Sequence, residues 1–163
     1  MTETGPGAEP LSVRSTLSAD HRDIDAVIDA VSTQAVEPAA LMRALDELLR
    51  HFYVEEQLVF PPLLETGLVM PIQIMQQEHG EMWPMWQKLV EACATGEVDA
   101  RSKRRAHELY LHLRVHNPKE EEVVYAAADA WLAGHPESTL LADLQHATVP
   151  TGWRCAAFSQ AST

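Results

Sequence analysis

Apolar side chains recur at steps of three and four residues along most of this chain, and no segment alternates as a β-strand does. The most regular stripe lies in the third segment and comprises Ile72, Met75, His79, Met82, Trp86, Leu89 and Cys93. Prolines and glycines divide the pattern into four long segments, which predicts four helices joined by short loops. The sequence therefore predicts an all-α protein, most simply an up-down-up-down four-helix bundle with a short C-terminal extension.

The predicted boundaries follow the breaks in this pattern. We expect residues 1–14, which begin with a Gly-, Pro- and Glu-rich stretch, to be disordered. Residues 15–134 contain the four helices, which we expect to start near Leu17, Pro38, Pro71 and Asp99. The pair Pro61–Pro62 is predicted to break or bend the second helix. Residues 135–163 are predicted to form one short helix, over about 138–146, and a tail.

The charge balance excludes several classes of partner. Twelve Lys and Arg residues against 24 Asp and Glu residues leave a formal charge of −12. This acidic background argues against binding to nucleic acid or to an anionic membrane surface. No apolar run reaches the roughly 18 residues that a transmembrane helix needs, and no export signal is visible. Two cysteines are too few for a disulfide scaffold, so we expect a cytoplasmic protein.

Histidine and glutamate recur at matching heights of the predicted helices. Three stripes carry an inward His, the remaining helix has one beside its stripe, and two helices add a Glu four residues later: His21, His51, Glu55, His79, His116 and Glu120. A spacing of four places both side chains on one helix face. Within each predicted hairpin the two histidines lie at similar distances from the shared loop, roughly 18 to 24 Å at 1.5 Å per residue. The six side chains are therefore predicted to meet in one layer.

The residue types in this layer indicate a metal site. An inward Glu without a partner would cost several kcal/mol, so Glu55 and Glu120 need a cation. Imidazole and carboxylate without thiolate suit iron, manganese or zinc. Six protein ligands are too many for one tetrahedral zinc ion. They suit two ions that share two bridging carboxylates and keep open positions.

Four motifs between residues 15 and 133 carry a family resemblance: DHRDI, HFYVEEQLVFPPL, QQEHGEM and HNPKEEEVVY. Together they resemble hemerythrin-like proteins, the His-His-Glu cation-binding domain family. This resemblance implies a helical bundle with two non-heme iron ions joined by an oxo or hydroxo bridge. It implies terminal ligands at His21, His51, His79 and His116, and bridging carboxylates at Glu55 and Glu120.

The chain departs from the oxygen-carrying hemerythrins in its third helix. Those proteins have five histidines, including a His-x-x-x-His pair, whereas this chain has Met75 four residues before His79. Fewer protein ligands leave more exchangeable positions on the metal. A centre with several open positions suits peroxide chemistry better than reversible oxygen carriage.

Several polar residues near the predicted ligands have open roles. The final carboxylate of the oxygen carriers lies five residues after its His, which leaves Glu120 and Glu121 as alternatives here. His112, one turn before His116, is either a fifth ligand or a group beside the ligands. Glu56, His112 and Glu121 are candidates for proton transfer next to the metal, with solvated surface positions as the alternative.

We therefore predict a non-heme di-iron protein that reacts with hydrogen peroxide or dioxygen. The specific prediction is catalase-like disproportionation of peroxide in oxidative-stress defence. The alternative is a non-enzymatic module that binds or senses dioxygen, nitric oxide or iron. The expected partner is a small molecule, and the expected assembly is a monomer or a homodimer.

Overall fold

The computed structural model describes residues 11–160, and all regular structure within that range is helical. There are four long helices in the described range: α1 (Val13–Thr33), α2 (Pro38–Val54), α4 (Val69–Ala94) and α5 (Ala100–Lys119). A short helix, α3 (Phe60–Glu65), lies between α2 and α4, and three short helices follow α5: α6 (Tyr125–Ala133), α7 (Leu140–His146) and α8 (Ala156–Gln160). The predicted all-α class is thus confirmed for the described residues. None of the described helices is both long enough and apolar enough to cross a bilayer.

Two five-residue π-helical turns interrupt the long helical paths. Glu55–Val59 joins α2 to α3, and Glu120–Val124 joins α5 to α6. The chain stays helical through Pro61–Pro62, so the predicted alternative of a break there is wrong. These prolines are the second and third residues of α3, in its first turn, where a helix tolerates a missing backbone N–H.

The first helix starts earlier than the predicted boundary at residue 15. Its N-cap is Ser12, whose hydroxyl accepts a hydrogen bond from the backbone N–H of Ser15 in a capping box. The backbone N–H of Val13 also donates to a carboxylate oxygen of Asp129 at 2.8 Å. Residues 13 and 14 therefore belong to the bundle, and the predicted disorder of residues 1–10 lies outside the described residues.

The four long helices surround two apolar clusters. In contacts between helices, α1 packs against α2 and α5, and α4 packs against the same two helices. Cluster A includes Ile24, Ile28, Leu45, Leu48, Met82, Leu89, Leu109 and Leu113, and cluster B includes Leu17, Val54, Val59, Phe60, Ile72, Met75, Val124 and Tyr125. The chain runs from cluster B to cluster A along α1 and α4, and from A to B along α2 and along α5 with the π turn and α6 that continue it. The predicted metal ligands lie between the two clusters.

The C-terminal extension packs on the bundle and contains a second short helix that the sequence pattern did not predict. Helix α8 lies against α4, where a Cβ added to Gly80 would meet the Cβ of Ala157 at 2.7 Å. Trp153 and Phe158 contact Trp83, with ring centroids 5.9 and 5.8 Å away. The close approach of α8 therefore depends on the missing side chain at position 80.

We expect Gly80→Ala to loosen α8, because real Cβ atoms do not approach to 2.7 Å. Trypsin should then cleave after the exposed Arg154 several-fold faster than in the wild-type protein, measured by mass spectrometry. The double variant Gly80→Ala, Ala157→Gly is the matched control, since the next nearest atoms lie at 3.8 Å. Equal cleavage rates in all three proteins would contradict this packing.

Candidate metal centre

The six side chains predicted to form one layer converge between clusters A and B. His21 comes from α1, His51 from α2, His79 from α4 and His116 from α5, whereas Glu55 and Glu120 begin the two π turns. Each of the six is at most 4% exposed, and both glutamates are fully buried. The bundle thus places four imidazoles and two carboxylates in its interior.

The donor atoms form a first group around His21 and His51. The ring nitrogens of these two residues and carboxylate oxygens of Glu55 and Glu120 lie within 4.8 Å of one another. The two Nε2 atoms are 2.9 Å apart. His51 Nε2 lies 3.1 Å from Glu55 Oε1, and His21 Nε2 lies 3.3 Å from Glu120 Oε2. All four atoms are close enough to surround one ion.

A second group forms around His79 and His116. Nitrogens of both residues and an oxygen of Glu120 lie within 4.8 Å of one another. His116 Nε2 is 3.0 Å from Glu120 Oε1, and His79 Nε2 is 3.6 Å from the same oxygen. Glu55 Oε2 lies 3.4 Å from His79 Nε2. This group therefore has two imidazoles and one oxygen of Glu120, with an oxygen of Glu55 beside His79.

The two glutamates connect the groups. Glu55 directs Oε1 to His51 and Oε2 to His79. Glu120 directs Oε2 to His21 and Oε1 to His116. Each carboxylate therefore offers one oxygen to each group, which is the arrangement that two neighbouring ions would share.

The outer nitrogen of every histidine faces a further carboxylate. Nδ1 lies 2.8 Å from an acid oxygen in His21–Glu121, His79–Glu56 and His116–Glu78, and 3.5 Å in His51–Asp20. Because a carboxylate oxygen only accepts, Nδ1 carries the proton in the three short pairs. Nε2 therefore faces the interior. When Nε2 carries no proton, its lone pair can bind a metal ion, as is usual for metal-bound histidine.

The structure separates the residues whose roles were open. Glu120 is buried between the two groups, whereas Glu121 is partly exposed and touches His21 from outside. Glu56 accepts from His79 and, through its other oxygen, from the backbone N–H of Ala156 at 2.8 Å. His112 is exposed and lies outside both donor groups.

Two acids beside the histidines were missed from the sequence. Asp20 and Glu78 each precede a predicted ligand, His21 and His79, so their position along the chain was visible. Each contacts a histidine on a different helix, His51 and His116 respectively. Helical spacing does not report such contacts, because they depend on how two helices pack.

Tyr125 is the other residue at the centre that the sequence assigned no metal role. It is fully buried, and its hydroxyl donates to Glu55 Oε1 at 2.5 Å. The Tyr125 hydroxyl oxygen also lies 3.1 Å from His21 Nε2, 3.2 Å from His51 Nε2 and 3.2 Å from Glu120 Oε2. Its hydroxyl thus touches every member of the first group.

Unpaired buried atoms mark the second group as a cation site. His79 Nε2, His116 Nε2, Glu55 Oε2 and Glu120 Oε1 are buried, and three pairs of them lie 3.0 to 3.6 Å apart, but none of them makes a hydrogen bond of proper geometry. The atoms of His79, His116 and Glu120 belong to the second group, and Glu55 Oε2 lies 3.4 Å from His79 Nε2. Leaving such atoms unpaired costs free energy, and a metal ion would satisfy all four at once. The donor set therefore fits a metal ion.

The electrostatics of the centre agree with this interpretation. Burial alone would raise the pKa of Glu120, but the adjacent imidazoles, His116 foremost, hold it well below its usual range. Burial alone would lower the pKa of His51, yet Glu55 and Asp20 raise it to about 10. Protons on the imidazoles thus supply the positive charge that two buried carboxylates require.

Comparison with protein-family models matches residues 12–128 to the hemerythrin HHE cation-binding domain. The chain belongs to this family. The match covers the four long helices, both π turns and all six converging side chains. No curated protein and no solved structure matches the chain. The hemerythrin domain assignment thus agrees with the buried His and Glu cluster, and both indicate metal binding.

We expect Glu120→Gln to lower the metal content of the hemerythrin domain by at least one ion per chain, because Gln keeps the shape but removes the charge that both groups share. Glu121→Gln is the matched control, since its contact is with the outer nitrogen of His21. The control substitution should lower the affinity for the metal by about 10–100-fold at most. Elemental analysis after iron loading and desalting checks this, and equal content in Glu120→Gln and wild-type protein would contradict it.

The stability of chelator-stripped protein should depend on pH. The pKa of His51 in the folded protein, about 10, exceeds the ordinary value of 6.5. Its contribution to the free energy of unfolding is therefore complete below pH 6.5 and is lost as the pH rises toward 10. The pKa values of Glu55 and Glu120 are lowered, so their contribution is lost as the pH falls below 4.5.

We therefore expect the free energy of unfolding of stripped protein, measured by urea titration, to be highest between about pH 4.5 and 6.5 and to fall on the alkaline side. Metal-loaded protein is the control, because the ion then replaces the imidazole protons and this alkaline loss should disappear. Stripped protein that is as stable at pH 9 as at pH 6 would contradict the prediction.

Proposed function

We propose that the centre holds two iron ions joined by an oxo or hydroxo bridge. His21 and His51 would hold one iron, and His79 and His116 the other. Glu55 and Glu120 would bridge them. The observation that supports this proposal is the division of each carboxylate between the two histidine pairs.

The same proposal includes the up-down-up-down order of the four long helices. The alternation of chain direction between clusters A and B along α1, α2, α4 and α5 supports it. Short connections between consecutive helices, such as residues 34–37 and 95–99, also suit this topology. Antiparallel neighbours would bring the four histidines to one height.

The proposed reaction is that of the iron centre with hydrogen peroxide or dioxygen, with catalase-like disproportionation of peroxide as the specific form. In this reaction two peroxide molecules give one dioxygen and two water molecules. When bound, the irons supply the electron transfer. The lack of a fifth histidine supports this choice, because Met75 stands four residues before His79 and is buried in cluster B. Positions then remain open for a small ligand.

A surface cavity next to His116 offers an approach for such a ligand. Its volume is about 330 Å³, and its walls are Glu78, Glu81, Met82, Leu111, His112, Val115 and His116. Two of these residues, His116 and Glu78, belong to the centre or touch it. His112 stands on the wall, and an imidazole can both accept and donate a proton. This suits proton transfer to a ligand entering from solvent.

The remaining groups would hold the centre in place. Glu56 and Glu121 keep the outer protons of His79 and His21, which fixes the orientation of both rings. Clusters A and B exclude water on the two sides of the layer. The cytoplasmic location and the monomeric or homodimeric state stay predictions from the sequence.

The second candidate function is a non-enzymatic sensor or binder of dioxygen, nitric oxide or iron. One contact favours it: the backbone N–H of Ala156, at the start of α8, bonds to Glu56 beside His79. A change at the metal would thus reach a C-terminal element directly. In that case ligand binding should alter the docking of α8 without consuming peroxide.

We expect iron-loaded protein to evolve one dioxygen molecule for every two peroxide molecules added, measured with an oxygen electrode. Stripped protein should evolve none, because the electron transfer resides on the metal. Glu122→Gln, a change of an exposed neighbour of the centre, is the control that should keep the wild-type rate.

Loaded protein that consumes no peroxide would contradict the catalase-like activity. If that protein instead shows a reversible absorbance change with dioxygen or nitric oxide, the second candidate is supported. The iron content, measured on the same sample, separates a failure of activity from a failure of loading.

A further inference from the structure

The two halves of the centre place different aromatic residues at equivalent positions. Phe60 follows Glu55 by five residues, and Tyr125 follows Glu120 by five, each directly after a π turn. Both are fully buried. Phe60 stacks on His79 with centroids 6.0 Å apart, and Tyr125 stacks on His21 at 5.6 Å. The two halves of the centre therefore differ at this position by one hydroxyl group.

That hydroxyl lies where a metal ligand of the first group would lie. Ligands bound about 2.1 Å from an ion at neighbouring corners of an octahedron are about 3.0 Å apart. The Tyr125 oxygen is 2.5, 3.1, 3.2 and 3.2 Å from the four donor atoms of that group. Three of these distances match the spacing of neighbouring corners, and the shortest is the hydrogen bond to Glu55.

The second group shows what the missing hydroxyl does. The atoms His79 Nε2, His116 Nε2 and Glu120 Oε1 of that group, and Glu55 Oε2 beside them, make no hydrogen bond, whereas all four atoms of the first group lie within 3.2 Å of the Tyr125 hydroxyl. The hydroxyl has one proton to donate, and its shortest contact is with Glu55 Oε1 at 2.5 Å. Phe60 supplies an aromatic ring of similar placement with no donor or acceptor, so the asymmetry lies in the chemistry of the side chain.

We infer that the Tyr125 hydroxyl oxygen is a protein ligand of the iron held by His21 and His51. The other iron has no such ligand and keeps the positions open for peroxide or dioxygen. This inference rests on the proposed iron centre and names its asymmetry. Tyrosine oxygen is a known ligand of ferric iron in haem proteins. On binding, the phenol O–H bond breaks, the oxygen keeps the electron pair and the proton passes to solvent.

Ferric-loaded protein tests the inference by its visible spectrum. A phenolate oxygen on ferric iron gives an intense charge-transfer band, with tyrosine ring vibrations enhanced in the resonance Raman spectrum. We expect both signals in wild-type protein and their complete loss in Tyr125→Phe at unchanged iron content. The chain has three tyrosines, so Tyr53→Phe and Tyr110→Phe are matched controls that should keep both signals.

The reciprocal change is made at the equivalent position in the other half of the centre. Phe60→Tyr places a hydroxyl beside the second donor group, so we expect this variant to add a second phenolate signal and to weaken the binding of azide, used as an anionic probe. In the combined variant Tyr125→Phe, Phe60→Tyr, the signal should return.

Three results would overturn the inference. They are a loaded wild-type protein without the band, a band that survives in Tyr125→Phe, and a band that disappears in a control variant. Should Tyr125→Phe fail to fold, ring-deuterated tyrosine in wild-type protein decides, because the Raman bands must then shift. Iron content is measured separately, so an absent band at full loading contradicts the tyrosine ligand and leaves the iron centre standing.

Discussion

Two buried carboxylates govern the interior of this protein. Glu55 and Glu120 are fully buried between two apolar clusters, where an uncompensated negative charge is costly. Four imidazoles face them, and each imidazole meets a further acid on its outer side. The layer is thus stable with positive charge at its middle, supplied either by protons on the histidines or by metal ions. The tautomers of the rings and the fit of the layer to a metal ion follow from this requirement.

The π turns bring the residues of this layer into position. A turn closed by hydrogen bonds between residues five apart contains one residue more than an α-helical turn. It allows a glutamate and the aromatic residue five positions later to face the same interior. The chain uses this device twice, at Glu55 with Phe60 and at Glu120 with Tyr125. The two halves therefore share a backbone plan and differ in the polarity of one aromatic side chain.

Much of the layer could be predicted from the sequence because its logic is local to each helix. The spacing of His51 and Glu55, or of His116 and Glu120, sets which side chains share a face, and the structure brings all six predicted residues together. The acids Asp20 and Glu78 were missed because each serves a histidine on another helix. Helix α8 was missed because its docking depends on Gly80, a residue 76 positions before Ala156 in the chain, rather than on a strong pattern of its own.

The sequence by itself determined the helical class and the six converging residues, since periodicity and residue type act within single helices. Only the tertiary structure decided which oxygen of each glutamate faces which histidine pair and which acids contact the outer nitrogens of the rings. It also decided that Tyr125 lies against the first donor group and Phe60 against His79 of the second. These features depend on distances of a few ångströms between side chains on different helices. Such distances arise from packing, which no spacing along one helix encodes.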